Sequence, residues 1–141
     1  MTTYLLDANV LIALTVVEHE HHDRTSAWAA GIQEFAVCPV VEGALVRFLV
    51  RSGETPSVAT ALLRAVHALP GCAFWADSLS YADAGLTHVH GHRQVTDAYL
   101  ASLAAAIPGS SLATLDAGLA QELPDLTTLV PPSGTVPPPR R

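Results

Sequence analysis

Lysine is absent from this sequence, and its seven basic residues are all arginines. P-loop NTPases, pyridoxal enzymes and protein kinases of the usual type each need a lysine that contacts phosphate or carries the cofactor. The same holds for phosphatases and receiver domains that rely on a lysine. The missing residue type therefore excludes all of these classes together.

Long apolar runs and secretory signals are also missing. No run reaches the roughly eighteen apolar residues that a membrane span requires, and the N-terminus has neither a basic region nor a cleavage site. We therefore expect a cytoplasmic protein with no membrane span. Half of the residues are apolar and only 14% are charged, which suggests that some apolar surface is buried between subunits.

Positive charge is scarce, and the formal net charge is -6. This balance argues against a protein that binds nucleic acid non-specifically by neutralising phosphates. It does not exclude a nuclease, because bound metal ions change the charge of a site.

Cysteine and serine patterns give little indication of chemistry. Cys38 and Cys72 lie far apart without metal-ligand spacing, so we expect two reduced, packed thiols. No G-x-S-x-G segment is present, which argues against a serine hydrolase of that type.

Two histidine groups resemble metal motifs only in part. The segment that begins at His19 would need a histidine four residues later to match HExxH, and that position is Asp23. His88, His90 and His92 alternate around a glycine, but no cysteine or second histidine pair accompanies them. We favour a solvated loop or phosphate contact over a zinc site there.

Short apolar runs alternate with helix-like segments along the chain. This alternation predicts a three-layer α/β/α domain with a central, mainly parallel sheet of about five strands. The predicted strands cover residues 3–6, 35–38, 73–76, 111–115 and 127–130. The predicted helices cover residues 9–17, 21–31, 40–51, 57–69, 80–87, 96–106 and 117–122. We place the domain at residues 1–130 and a Pro-rich flexible tail at residues 131–141.

Two aspartates follow predicted strands directly. Asp7 ends the first apolar run, and Asp116 ends a late one. In open parallel sheets, functional groups gather outside the carboxyl ends of the strands, so these side chains can converge despite their separation in sequence.

Two further carboxylates lie on predicted helices. Glu42 shares a helical face with Leu45 and Leu49, and Asp97 heads a stripe that includes Leu100. An ionised carboxylate on an apolar face is costly to bury unpaired, so such groups share protons or bind a cation. Each of the four acids also has a structural explanation as a helix cap or first-turn residue. Together they favour a site for a hard cation such as Mg²⁺ or Mn²⁺.

Residues 3–130 resemble a PIN-domain ribonuclease, and specifically the VapC-like toxins of type II toxin-antitoxin pairs. Five segments taken in this order carry the resemblance: LLDANVLIAL (5–14), HHDRTSAW (21–28), PVVEGALVRFL (39–49), GHRQVTDAYLASLA (91–104) and LATLDAGLA (112–120). The resemblance implies a PIN-like fold.

The resemblance also implies a catalytic site and its cofactor. The matching active-site positions are Asp7, Glu42, Asp97 and Asp116. They would bind Mg²⁺ or Mn²⁺, chiefly through Asp7 and Asp97, with Asp116 as a further ligand and Glu42 completing or positioning the site. The implied reaction is hydrolysis of an RNA phosphodiester.

Supporting residues follow from the same match. Asn9 and Thr114 correspond to positions that orient the acidic groups. The helix after Asp97 ends in alanines where members of the family often carry basic residues, so RNA contacts would fall to Arg24, Arg47 and Arg93 and to histidines.

Partners are also implied by the family. Such toxins form homodimers and are held inactive by a cognate VapB-like antitoxin whose tail crosses the active site, where its arginines can pair with the carboxylates. Two alternatives remain open from the residues. The chain could be a non-catalytic PIN-like module that binds a partner's arginine, or a PIN-fold nuclease that acts on DNA.

Overall fold

A computed structural model describes residues 1–132 as a five-stranded sheet with six α-helices. The strands are β1 (Thr3–Leu6), β2 (Glu34–Val37), β3 (Cys72–Phe74), β4 (Ser110–Thr114) and β5 (Thr127–Leu129). The helices are α1 (Ala8–Thr15), α2 (His22–Ala29), α3 (Pro39–Arg51), α4 (Pro56–His67), α5 (Val95–Ala105) and α6 (Ala117–Glu122). The α/β class and the five predicted strands are confirmed.

The strand order is β3-β2-β1-β4-β5, and every neighbouring pair is parallel. The chain moves outward from β1 to β2 and β3 and then crosses back to β4 on the other side of β1. Right-handed crossovers place α1 to α4 on one face of the sheet and α5 and α6 on the other. The order therefore reverses between β1 and β4, and a crevice opens at their carboxyl ends.

The central strands and helices form the core because their sequences are almost wholly apolar. Leu5 and Leu6 of β1 are buried, as are Leu112 and Ala113 of β4. Helix α1 buries four consecutive residues, and α5 is buried over most of its circumference. These two helices lie against the middle of the sheet, so the residues at their N-termini are held at its carboxyl edge.

The predicted helix at residues 80–87 is wrong, since only a 3₁₀ turn forms, at Tyr81–Asp83. The Tyr81 ring stacks on Tyr99 of α5 with ring centroids 4.4 Å apart, and Ala84 is already extended. The backbone N–H of Gly85 then donates to the Ser102 hydroxyl at 2.9 Å. Contacts with α5 thus replace the local hydrogen bonds that a helix would need.

The last described residues are fixed by α2. The Arg24 guanidinium donates to the carbonyl oxygens of Val130 and Pro131. The Pro-rich segment predicted at residues 131–141 lies outside the described residues from position 133 onward. Within residues 1–132, no helix is long and apolar enough to cross a membrane.

Both cysteines are free thiols, as predicted. Cys38 is buried just before α3, and burial raises its pKa to about 11. Cys72 begins β3, and burial raises its pKa as well. Neither thiol is activated as a nucleophile by its surroundings.

Gly71 controls the entry into β3. Its φ is +80°, and a Cβ at this position would lie 2.0 Å from the Gln33 carbonyl oxygen. Its own carbonyl accepts a hydrogen bond from Phe35 N–H at 3.0 Å. The turn therefore needs a residue without a side chain to bring β3 alongside β2.

We expect Gly71→Ala to lower the free energy of unfolding by about 3 kcal/mol or more, because it adds a clash with backbone to a left-handed conformation. Gly53→Ala is the matched control, since Gly53 has φ +97° but no atom within 4 Å of the added Cβ. Its cost should stay near the roughly 1–2 kcal/mol of the backbone strain alone. Urea unfolding measures the stability of both variants. Equal losses of unfolding free energy would contradict the steric clash proposed at Gly71.

Candidate active site

Asp7 lies at the carboxyl end of β1 and caps α1. Its Oδ1 accepts a hydrogen bond from Val10 N–H at 2.8 Å, and the residue is only 4% exposed. Burial, with a smaller contribution from the charges of Asp97 and Asp116, raises the pKa of this carboxyl to about 7, even though hydrogen bonds with Val10 N–H and Thr114 act to lower it. A carboxylate in this position is held near the balance between its two protonation states.

Asp116 repeats this arrangement at the end of β4. Its Oδ1 accepts hydrogen bonds from Gly118 N–H at 2.9 Å and Leu119 N–H at 3.2 Å, which caps α6. The hydroxyl oxygen of buried Thr114 accepts from Asp116 N–H at 3.0 Å. A hydrogen bond with Thr114 also lowers the pKa of Asp7. The structure thus places Thr114 between the two aspartates, where the sequence predicted a supporting residue.

Asp97 approaches the same place from the other face of the sheet. It lies in the first turn of α5 and is half-buried. Burial raises its pKa, and the charge of Asp116 raises it further. Asp97 and Asp116 line one pocket of about 260 Å³, together with His88 and Glu122. Asp7, Asp97 and Asp116 therefore form one electrostatically coupled cluster at the carboxyl edge, which we call the acidic cluster.

Positive charge does not balance the acidic cluster. Among the described residues, the ion pairs are His21 with Glu20 and His67 with Glu42, and neither includes a member of the cluster. Three carboxylates that repel one another without a cationic side chain would gain from a bound cation. Their donors are all oxygens, which fits a hard divalent ion such as Mg²⁺ or Mn²⁺.

The cluster is not yet arranged as a set of ligands. Within the part of the chain that the structure describes, no three His, Cys, Asp or Glu side chains form a group that could hold a metal ion as they stand. Asp7 and Asp116 each direct Oδ1 at a helix N-terminus. The oxygen donors are of the kind that a divalent metal ion prefers, but the three side chains do not yet have the arrangement of a ligand set.

Glu42 makes a different contact. Its Oε2 pairs with the Nε2 atom of His67 at the end of α4, at 2.5 Å. The same carboxylate raises the pKa of Cys72, and the His67 ring contacts Phe74 with centroids 5.9 Å apart. The structure therefore holds Glu42 on the α3–α4 side toward β3. Its catalytic role stays a prediction.

Asn9 and several histidines border the cluster on another side. Asn9, His19, Glu20, His21 and Asp116 line a second pocket of about 330 Å³. Histidines were expected to contact RNA, but His19 and His21 were not singled out, because they lie in the turn before α2 and no sequence pattern places that turn beside the cluster. Glu122 was missed for a related reason, since only the turn of α6 brings it to the first pocket.

The three arginines predicted to contact RNA differ in availability. The guanidinium of Arg24 is already bonded to two backbone carbonyls. Arg47 lies exposed on α3, and Arg93 lies exposed in the 3₁₀ turn His92–Gln94 just before α5. Within residues 1–132, no arginine lines either of the two pockets beside the cluster.

Comparison with known proteins identifies the family. The PIN domain model matches residues 4–122. The chain belongs to the PIN-domain family. Within that family it is VapC-like. This PIN domain is 52% identical over 130 residues to Ribonuclease VapC29 of Mycobacterium tuberculosis, covering 92% of this chain and 97% of that protein. It is 39% identical over 130 residues to Ribonuclease VapC38 of the same species, covering 85% and 92%.

Solved structures show the same fold at much lower sequence identity. M. tuberculosis VapC20, a toxin that cleaves the sarcin-ricin loop, aligns with a TM-score of 0.68 at 14% identity and covers 84% of this chain and 94% of its own. A VapBC2 structure from Rickettsia felis, bound to a promoter DNA fragment, aligns with a TM-score of 0.62 at 17% identity, covering 90% and 96%. The predicted PIN fold is confirmed.

The raised pKa of Asp7 predicts a pH dependence of stability. The folded protein keeps a proton on Asp7 that the unfolded chain releases near its ordinary value of 3.8. Without metal, the free energy of unfolding should therefore fall as the pH rises from about 4 to about 7. Asp7→Asn keeps the cap but removes this ionisation, so at pH 8 the variant should be more stable than wild type by on the order of 1–3 kcal/mol.

Urea unfolding in EDTA at pH 4.5 and pH 8 measures this difference. Asp83→Asn is the control, because Asp83 is exposed in the 3₁₀ turn and should show no such pH-dependent gain. If the Asp7→Asn variant is no more stable than wild type at pH 8, the inference that the ionised Asp7 carboxylate lowers the free energy of unfolding is contradicted.

Proposed function

We propose that this PIN domain is a Mg²⁺- or Mn²⁺-dependent endoribonuclease that acts as the toxin of a type II toxin-antitoxin pair. The observation that carries the proposal is the acidic cluster, in which three uncompensated carboxylates meet at the carboxyl edge of the sheet. The VapC ribonucleases that match over nearly the whole chain support the reaction. They support RNA rather than DNA as the substrate class.

Asp7, Asp97 and Asp116 are the residues that would hold the metal. A bound divalent ion makes water a better nucleophile near neutral pH and stabilises charge that develops on the phosphate. Asp7 is held at the strand end by its cap and by Thr114, and Asp116 is held by two N–H groups of α6. Each keeps a second carboxylate oxygen for a ligand. The protein thus supplies fixed, partly desolvated oxygens at the edge where the RNA backbone can approach.

A VapB-like antitoxin is the proposed partner. Charge complementarity favours an arginine-bearing segment over the acidic cluster, since bidentate arginine pairs bind carboxylates strongly. An apolar groove of about 450 Å³ between α2 and α4 offers further contact area, with Trp28, Leu62 and Leu69 in its lining. Exposed apolar surface of this kind often marks a protein interface. The homodimer predicted from the sequence remains part of the proposal.

The first test is cleavage of RNA by the purified, antitoxin-free protein. We expect discrete cuts in total RNA with Mg²⁺ or Mn²⁺ and none in EDTA. Asp97→Asn should lower the rate at least about a hundredfold, because it removes a charged ligand for the metal. Asp83→Asn, a matched change at an exposed aspartate, should cut like wild type. Mapping the new 5′ ends identifies the target.

The outcomes separate the alternatives. Metal-independent cutting, or equal cutting by Asp97→Asn, would refute the proposed mechanism. Saturable Mn²⁺ binding without any RNA cleavage would favour the non-catalytic module. Cleavage of a single-stranded DNA of the mapped sequence at the same rate would favour a DNA nuclease.

Glu42 needs a separate test because its partner in the structure is His67. If Glu42 serves the reaction, Glu42→Gln should lower the cleavage rate about tenfold or more, whereas His67→Gln should stay close to wild type. Both changes break the same half-exposed pair, so they should cost similar and small stability, below about 1 kcal/mol. Cleavage kinetics and urea unfolding of both variants distinguish the roles. Equal rates for the two variants would show that Glu42 acts only through this pair.

A further inference from the structure

One nitrogen beside the acidic cluster has no hydrogen-bond partner. The Nε2 atom of His88 is shielded from solvent and makes no hydrogen bond among the described residues. The Thr25 and Ser110 hydroxyls share this condition, but neither lines a pocket beside the cluster. An unpaired buried polar group costs on the order of 1–3 kcal/mol. Such a group at the edge of a site indicates a partner that arrives with the ligand.

The surroundings of His88 define the chemistry of that ligand. His88 lines the pocket of about 260 Å³ with Asp97, Asp116 and Glu122. Among the described residues that line the pocket, His88 and Gln94 supply the side-chain nitrogens, and no arginine contributes one. A phosphodiester entering this pocket would otherwise meet three carboxylates. Of these two donors, His88 has the ring nitrogen without a partner among the described residues, which makes it the stronger candidate to donate to a phosphate oxygen.

The loop that carries His88 is tied to the helix that carries Asp97. Gly85 N–H donates to the Ser102 hydroxyl of α5, and His90 N–H donates at 2.6 Å to the Gln94 side chain just before α5. Val89 N–H also closes a turn with the Leu86 carbonyl at 3.0 Å. These hydrogen bonds on both sides of His88 hold the backbone of its loop beside α5 and the acidic cluster.

We propose that His88 is a phosphate-binding residue of this site, donating a ring N–H to a non-bridging oxygen of the RNA backbone. The inference rests on the proposed function. The χ2 torsion of histidine is broad, so the ring can turn Nε2 into the pocket while the loop backbone stays in place. The neutral ring already carries one N–H donor, so the role does not depend on the charge of the ring.

The test compares His88→Leu with His88→Gln. The two side chains have similar size, but only glutamine can donate a hydrogen bond. Thr87→Val is the matched control, since Thr87 is exposed in the same loop directly before His88. The probe is a fluorescent single-stranded RNA that spans the mapped cut. Anisotropy in EDTA gives Kd, and cleavage with Mg²⁺ gives kcat and KM.

We expect His88→Leu to raise Kd about tenfold or more, as is typical for loss of a hydrogen bond to a charged group. His88→Gln should recover most of the affinity, and Thr87→Val should stay within about twofold of wild type. A thermal unfolding scan checks that the variants fold. Equal Kd values for His88→Leu and wild type would overturn the proposal, as would equal losses for His88→Leu and His88→Gln.

A methylphosphonate scan adds a readout that a structural role would not change. Each linkage of the RNA is made uncharged in turn, which removes one phosphate oxygen at a time. At the contacted linkage, His88→Leu should cause no further loss of affinity, whereas at other linkages its effect should persist. If the losses of affinity from His88→Leu and from the uncharged linkage added up at every linkage, the proposed contact between His88 and a phosphate would be refuted. Failure of wild type itself to cleave RNA would instead refute the proposed function.

Discussion

Burial of the Asp7 carboxyl at the end of the central strand is the constraint on which the site depends. Water is excluded there, and Asp97 and Asp116 oppose its ionisation. The fold offsets part of this cost with the hydrogen bonds that Asp7 makes with Val10 N–H and Thr114. The remaining imbalance makes the site receptive to a cation, and it follows from packing α1 and α5 on opposite faces of the same strand edge.

Capping and ligand binding are compatible roles for these aspartates. Asp7 and Asp116 each use Oδ1 to satisfy the first turn of a helix. Helix N-termini also hold the two carboxylates in fixed orientations, since their N–H groups carry partial positive charge. A carboxylate that begins a helix at the end of a parallel strand is thereby held in place for the proposed role of metal ligand. Helix capping and the proposed binding of a metal ion are therefore compatible with the same side-chain orientation.

The chain has few positive charges with which to attract a polyanionic substrate such as RNA. The chain is acidic, and Arg24 uses its guanidinium to fix the end of β5 rather than a phosphate. Near the acidic cluster, the basic side chains that line the pockets are histidines. Metal charge and imidazole donors can replace the lysines and arginines that nucleic-acid proteins commonly use. Binding of this kind is short-ranged and depends on close contact rather than on long-range attraction.

The sequence by itself determined the fold class, the five strands and the acids at the strand ends. A buried parallel strand is recognised in the sequence as a short apolar run. An acidic residue that follows such a run lies at the carboxyl edge of the sheet, whichever strands are its neighbours. These signals are local, so they can be read without knowledge of neighbours. The supporting role expected for Thr114 stays a prediction, although its hydroxyl does accept a hydrogen bond from Asp116 N–H.

Only the tertiary structure decided the features that depend on distant partners. Stacking of Tyr81 on Tyr99 replaced the predicted helix at 80–87 with a turn, and that turn leads into the loop that brings His88 to the cluster. The pairing of Glu42 with His67 is equally invisible in sequence, because it joins two helices through side chains 25 positions apart. Periodicity records which face of an element is apolar, but it does not record which side chain a polar group will meet.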